Sequence, residues 1–99
     1  MAARGRQVRL TPLAEADLED IWRYTFEHWS PGQADRYHRD LVATMAALAR
    51  GDKTGCVCTV RDGYFRYSVG SHVVFYRETV HTLDVIRVLH QRMDVGRQL

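Results

Sequence analysis

Apolar side chains recur at helical spacing in two stretches of the first half of the chain. The first stretch follows Thr11-Pro12, a typical helix start in which threonine caps the first turn and proline occupies its first position. The second follows Ser30-Pro31-Gly32-Gln33, which has the spacing of a capping box, and Arg50-Gly51 marks its end. The two predicted apolar stripes are Leu18, Ile21, Trp22, Thr25, Phe26 and Trp29, and Ala34, Tyr37, Leu41, Met45 and Leu48.

The connection between the two helices is short enough to force an antiparallel hairpin. The acidic residues of the first helix are predicted to fill the solvated face opposite its apolar stripe. These residues are Glu15, Asp17, Glu19 and Asp20. The apolar stripes cannot bury each other completely, so the hairpin needs a sheet to cover it.

Strand patterns surround the predicted hairpin. Residues 7–10 alternate apolar with polar side chains and predict a short N-terminal strand. Residues 64–69, 72–78 and 83–90 predict a β-meander, with turns at Asp62-Gly63, at Gly70-Ser71 and at residues 79–82. A strand within residues 56–61 is a weaker possibility. The expected fold is α+β: one domain over residues 1–99, with its core at about 7–95 and a small, mainly antiparallel sheet.

The last two predicted strands carry apolar residues on both faces. Strict alternation places Val73, Phe75, Val85 and Leu89 on one face, and Val74, Tyr76, Ile86 and Val88 on the other. One face covers the hairpin. The other is expected to stand open as a partner site, since an exposed apolar face of this kind usually binds something. The alternative is that the C-terminal segment folds back and covers it.

Composition excludes several classes of protein. Apolar residues make up 45% of the chain and charged residues 26%, as in an ordinary globular domain. The longest apolar run is the five residues 45–49, too short to cross a membrane, and the N-terminus lacks the apolar core of a signal peptide. The expected location is the cytoplasm. The net charge of +2 combines basic ends, including Arg4, Arg6 and Arg9, with an acidic middle, and is too small to indicate nucleic-acid binding.

No ordinary enzyme active site is visible in the sequence. Cys56 and Cys58 lack a second pair of ligands at metal-site spacing, the five histidines are scattered, and the glycines do not form a phosphate loop. We therefore expect no metal and no cofactor. Aromatic residues interleave with arginines, a pattern that favours a packed core or protein interface and is also compatible with stacking of single-stranded nucleic acid.

Four strings carry a resemblance to a known family. Residues 14–22 (AEADLEDIW), residues 33–37 (QADRY), residues 69–76 (VGSHVVFY) and residues 86–94 (IRVLHQRMD) look like signatures of the ParE branch of the RelE/ParE toxin superfamily. The resemblance covers about residues 7–95, and the two C-terminal strings are its most specific part. One departure is the short segment 51–59, which carries both cysteines where relatives often have a proline-bearing loop.

The resemblance implies a toxin of a type II toxin–antitoxin system that acts on DNA gyrase without being an enzyme. It implies neutralisation by a ParD-like antitoxin, which would wrap the toxin with its C-terminal segment and bind DNA through a ribbon-helix-helix half. The toxin would then form a hetero-oligomer and reach DNA only through the antitoxin. A ribosome-dependent mRNA endonuclease of the RelE type and a non-toxic binding module are the alternatives. The glycine-lysine-arginine type of ending familiar from RelE-like chains is absent.

Two sets of site residues follow as hypotheses. The target-binding set is the polar cluster at the end of the last strand: Arg87, His90, Arg92, Met93 and Asp94. A structural role for this string is the alternative, with Met93 at the edge of the core and Asp94 paired with Arg92 or capping a final turn. The antitoxin-binding set consists of Trp22, Trp29, Tyr37, Val73, Phe75, Arg77, Val85 and Leu89.

Overall fold

A computed structural model of the protein describes residues 5–99, so Arg4 lies outside the described part of the chain. Five strands form one sheet in the order β1-β5-β4-β3-β2, in which only the β1–β5 pair is parallel. The elements are β1 (Gln7–Leu10), α1 (Pro12–His28), α2 (Pro31–Arg50), β2 (Cys56–Val57), β3 (Phe65–Val69), β4 (His72–Glu78), β5 (Thr82–His90) and α3 (Val95–Gln98). The predicted α+β fold is confirmed. Of the strand predicted within residues 56–61, only the two residues of β2 form, and α3 was not predicted.

Local signals set the ends of the hairpin. The Thr11 side chain accepts a hydrogen bond from the Ala14 N–H at 3.0 Å, and the Ser30 side chain accepts one from the Gln33 N–H at 3.1 Å. Only this half of the predicted capping box forms, because the Gln33 side chain accepts from Arg36 instead. Gly51 ends α2 with φ of 86°, a left-handed conformation that glycine adopts without strain. Trp29 and Ser30 alone connect the two helices.

A β-bulge changes which face Val85 occupies. Tyr76 pairs with Val85 while Phe75 pairs with Arg87, so Ile86 is an extra residue in β5. The bulge shifts the alternation of side chains along the strand, and Val85 and Val88 both point to the hairpin side. The prediction that Val85 shares a face with Val73, Phe75 and Leu89 is therefore wrong.

The apolar centre of each sheet face is covered within the chain. The hairpin packs on the face that carries Val74, Tyr76, Leu83, Val85 and Val88. On the opposite face Val73, Phe75 and Leu89 form a second cluster with Cys58, and this cluster is covered by Tyr64, Val95 and Leu99. The exposed fractions of Val73, Phe75 and Leu89 are 3%, 0% and 1%.

The expectation of an open apolar sheet face is thus wrong. The alternative, a C-terminal segment that folds back, is what the structure shows, and residues 58–64 assist it. The physical reason is size. The sheet presents only three large apolar side chains on this side, so Val95 of α3 and Leu99 directly after it are enough to cover them. Among the described residues, no helix has the length and apolar character needed to cross a membrane.

Candidate functional site

A cleft of about 690 Å³ lies where the end of the helical hairpin meets the β3–β4 turn and the last residues of β5. Aromatic rings from α1, α2 and their connection form one wall, and the sheet contributes the other. Its lining includes Tyr24, Trp29, Tyr37, Gly70, His72, His90 and Met93. We refer to this feature as the hairpin cleft.

Tyr37 ties the helical wall of the cleft to the sheet. Its hydroxyl lies 3.0 Å from the Val69 carbonyl oxygen, 3.2 Å from the Ser71 nitrogen and 2.6 Å from Nδ1 of His72. The hydroxyl accepts from the Ser71 N–H. Its one hydrogen goes either to the Val69 carbonyl oxygen or to Nδ1 of His72, according to the tautomer of the His72 ring.

The β3–β4 turn is shaped to receive Tyr37. Gly70 has φ of +57°, and a Cβ at this position would meet the Tyr37 ring and hydroxyl at 2.8 Å. Any side chain here would be strained and would also push Tyr37 away from His72. Gly70 therefore shapes the cleft because the absence of a side chain leaves room for the Tyr37 ring.

Two histidines from neighbouring strands meet at the floor of the cleft. His72 and His90 are register partners of β4 and β5, and their ring centroids are 5.3 Å apart, edge to face. Burial is the main cause that lowers the pKa of His72, and the nearby His90 lowers it further, while Asp17 opposes both. His90 accepts a hydrogen bond from the Arg92 N–H through Nδ1 at 3.2 Å.

The lowered pKa of His72 predicts acid sensitivity. The neutral ring is favoured in the folded protein, so its stabilising effect is fully present above the unfolded pKa of 6.5 and is lost as pH falls below that value. We expect the melting temperature to fall between about pH 7.5 and about pH 5.5, and to fall less in the His72→Gln variant. His81→Gln, at an exposed histidine in the β4–β5 turn, is the matched control. An equal fall in His72→Gln and the parent protein would contradict the assignment.

Arg87, from the target-binding set, is engaged inside the protein. Its Nε and Nη2 donate to the two carboxylate oxygens of Asp17 at 2.7 and 2.8 Å, and the Val88 N–H donates to the same carboxylate at 3.0 Å. The side chains of Arg87 and Asp17 are only 14% and 13% exposed. The hydrogen-bonded carboxylate of Asp17 raises the pKa of Arg87. The prediction that Asp17 lies on the solvated face of α1 is wrong.

The rest of the target-binding set divides. His90 and Met93 line the hairpin cleft, and the exposed fraction of Met93 is 48%. Asp94 caps the first turn of α3 by accepting from the Gly96 N–H at 3.1 Å, which is one of the structural alternatives foreseen for it. Arg92 is exposed and lies outside the cleft lining.

The antitoxin-binding set also divides. Trp29 and Tyr37 line the hairpin cleft, and Trp29 is 73% exposed. Trp22 lies outside it on α1, where its Nε1 donates to Asp35 at 3.1 Å. Arg77 is exposed on the far side of the sheet, above the Tyr64 ring. The four apolar sheet residues of the set, Val73, Phe75, Val85 and Leu89, are buried inside the protein and at most 3% exposed.

The aromatic half of the α1 stripe is more exposed than the periodicity predicts. Leu18 and Thr25 are buried and Ile21 is half-buried, but Trp22, Phe26 and Trp29 reach solvent. The stripe is wider than the sheet can cover, so its outer edge forms an aromatic surface beside the cleft. Large exposed aromatic residues are typical of protein interfaces.

No group of three metal-ligating side chains occurs within residues 5–99. Cys56 is exposed and Cys58 is buried in the second cluster, and both are free thiols. The arrangement of the cleft, an aromatic wall facing two histidines and a methionine, is suited to binding a protein segment.

The predicted sets lacked Gly70 and His72, which line the cleft, and Asp17, which pairs with Arg87. Asp17 stands three residues after Ala14 and four before Ile21, so helical spacing already places it on the inward face. Gly70 and His72 lie in the quoted string 69–76, and the pairing of 72 with 90 follows if the meander turns are placed correctly. The sequence contains the signal for each residue, but its contact depends on where a second element lies: β5 for Asp17 and His72, and α2 for Gly70.

Comparison with known proteins shows the family to which these features belong. A family model described as the ParE toxin of the type II toxin–antitoxin system, parDE, matches residues 8–95. The chain is 47% identical over 92 residues to Toxin ParE1 of Mycobacterium tuberculosis. The alignment covers 91% of this chain and 94% of the relative. It is 45% identical to Toxin ParE1 of Caulobacter vibrioides, with 92% and 95% covered.

Solved structures share the fold. A chain of the chromosomal ParDE toxin–antitoxin system from P. aeruginosa aligns with a TM-score of 0.75 at 16% identity, covering 87% of this chain and 96% of the other. A chain of the RelBE2 toxin–antitoxin complex from Mycobacterium tuberculosis aligns with a TM-score of 0.65 at 22% identity, covering 88% and 99%.

Proposed function

Because this chain belongs to the ParE toxin family of type II toxin–antitoxin systems, we propose that it inhibits DNA gyrase and is held inactive by a ParD-like antitoxin. Inhibition is by binding, without an enzymatic step. The toxin forms a hetero-oligomer with the antitoxin in the cytoplasm. The hairpin cleft is the surface that serves both partners.

One observation carries this proposal: residues from both predicted sets line a single cleft. His90 and Met93 come from the target-binding set, and Trp29 and Tyr37 come from the antitoxin-binding set. A segment of the antitoxin that fills the cleft would cover His90 and Met93 directly. Neutralisation then follows from steric exclusion, and no change in the shape of the toxin is needed.

The aromatic residues supply the expected energetics. Tyr and Trp side chains bury large areas with little loss of conformational freedom, so they dominate binding energy at protein interfaces. Tyr37 is already held in place by three polar partners, and the Gly70 turn fits against its ring. A partner that enters the cleft meets a surface that is largely preformed, which reduces the entropic cost of binding.

The test is a gyrase supercoiling assay with the purified, antitoxin-free chain, run beside a ribosome-dependent mRNA cleavage assay. We expect supercoiling to be inhibited and the cognate antitoxin to restore it, with mRNA left intact. His90→Ala is expected to weaken inhibition, and His81→Ala, at an exposed histidine away from the cleft, serves as the control. Intact supercoiling with cleaved mRNA would assign the chain to the RelE-like activity. Inactivity in both assays would leave a binding module.

A further inference from the structure

Four arginines lie on the side of the sheet opposite the hairpin. Strand alternation places Arg9, Arg66 and Arg77 there, because their neighbours Leu10, Tyr67 and Tyr76 pack against the hairpin. Arg61 joins them from the segment that covers the second cluster. We call the surface formed by Arg9, Arg61, Arg66 and Arg77 the arginine face. All four residues are exposed.

Aromatic rings position three of these guanidinium groups. Arg61 and Arg77 lie over the Tyr64 ring, each 5.5 Å from its centroid, and Arg66 lies 5.7 Å from the Phe75 centroid. Arg61 also donates to the Leu99 carbonyl oxygen. Stacking against a ring restrains a guanidinium but leaves its N–H edge free to donate to an anion.

Carboxylates neutralise little of this surface. Of the two acids in the described strands, Glu78 pairs with Arg6, and Asp84 lies on the arginine face, where Arg9 donates to it at 2.9 Å. Within residues 5–99, no salt bridge involves Arg61, Arg66 or Arg77. The two long helices, in contrast, carry seven carboxylates against four arginines, a balance of −3. The modest net charge therefore conceals a basic sheet side and an acidic helical side.

We propose that the arginine face binds the sugar–phosphate backbone of duplex DNA without reading its sequence. Arginine forks match phosphate oxygens, and such contacts position a protein on DNA without distinguishing bases. The rings under the guanidinium groups are occupied by those groups, so they do not offer platforms for the unstacked bases of a single strand. The choice of DNA rests on the proposed function, since a gyrase inhibitor works beside bound DNA.

An acidic protein segment is the competing occupant, and the structure disfavours it. A peptide needs apolar anchors as well as charge, because buried apolar and aromatic groups supply most of the energy of a protein interface. The apolar residues at the centre of this side of the sheet, Val73, Phe75 and Leu89, are already buried beneath the C-terminal segment. The exposed aromatic residues lie on the hairpin instead. This proposal departs from the expectation that the toxin reaches DNA only through the antitoxin.

Fluorescence anisotropy of a labelled duplex DNA of arbitrary sequence, titrated with the full antitoxin-free chain, tests this. We expect a Kd of about 10⁻⁶ to 10⁻⁴ M at physiological salt. The logarithm of the binding constant should fall linearly with the logarithm of the salt concentration, with a slope of about −0.9 for each phosphate contacted. Replacing Arg66 and Arg77 together by glutamine is expected to reduce the affinity at least about tenfold at low salt and to lower the salt slope by about 1.8. The Arg66→Lys, Arg77→Lys double variant should retain most of the affinity, because charge rather than shape dominates.

The matched control makes the same change of charge on the helical side. Arg36→Gln with Arg39→Gln, both on α2, should leave DNA binding within about twofold of the parent if the interaction is local. Equal losses in the two double variants, no loss in the Arg66, Arg77 variant, or tighter binding of poly-glutamate than of DNA would overturn the proposal. DNA binding without gyrase inhibition would refute the proposed function alone, whereas inhibition without DNA binding would refute only this inference.

Discussion

Replacing Asp17 with alanine is expected to lower the free energy of unfolding by about 3 kcal/mol, the lower end of the usual cost of removing one partner from a buried ion pair, because this pair is part-buried. The carboxylate accepts three hydrogen bonds, two from Arg87 and one from the Val88 N–H. Its loss leaves the Arg87 guanidinium, within the described residues, with a single hydrogen bond to the more distant Gln98 carbonyl oxygen, 3.3 Å away. A charge that is 14% exposed and poorly paired carries most of the cost.

Urea unfolding provides the measurement: the midpoint should fall while the m-value stays unchanged. Asp20→Ala is the matched control. Asp20, like Asp17, is an α1 carboxylate paired with an arginine, but its side chain is 72% exposed. Exposed pairs of this kind contribute about 0–1 kcal/mol. A loss at Asp17 no greater than the loss at Asp20 would show that the Asp17–Arg87 pair does not hold α1 against β5.

The same pair changes how Arg87 variants should be read. Arg87 belongs to the predicted target-binding set, yet its guanidinium is committed to Asp17. Loss of toxicity in Arg87→Ala could therefore report loss of folded protein. The Asp17→Ala, Arg87→Ala double variant separates the two effects, because it removes both charges together and is expected to be more stable than either single variant.

The elements that the sequence predicted well are those specified by neighbouring residues. Thr11, Ser30 and Gly51 set helix ends through contacts within one turn, and the Gly70-Ser71 turn joins adjacent strands. These features need no knowledge of the rest of the molecule. The fold class followed because the order of such elements leaves few arrangements open.

The features that the sequence did not predict depend on distant pairings. The bulge at Ile86 is set by the register between β4 and β5, and it moved Val85 to the hairpin side. Asp17 meets Arg87 across seventy positions of the chain. The closure of the second face depends on Val95 and Leu99 returning to the sheet, and nothing in their local pattern indicates where they pack. The hairpin cleft itself needs all three regions to be placed correctly.

Replacing Trp29 with alanine is expected to weaken antitoxin binding by at least about 2 kcal/mol, or about thirtyfold in Kd. Trp29 is the most exposed large apolar residue within 5–99, at 73%, and it lines the cleft at the connection between α1 and α2. Such an exposed indole contributes little to the fold, so its removal should leave stability almost unchanged while a large contact area is lost from the interface.

Isothermal titration calorimetry with the cognate antitoxin measures the effect, and Phe26→Ala supplies the control. Phe26 is 44% exposed in the last turn of α1, but it lies outside the cleft lining and packs against Trp22 at a ring distance of 5.1 Å. If the antitoxin fills the cleft, Trp29→Ala loses far more affinity than Phe26→Ala, and the antitoxin fails to suppress this variant at concentrations that suppress the parent. Equal losses would place the antitoxin on the outer aromatic surface of α1. Exclusion of the target by occupation of the cleft would then be wrong, because His90 and Met93 would stay accessible in the complex.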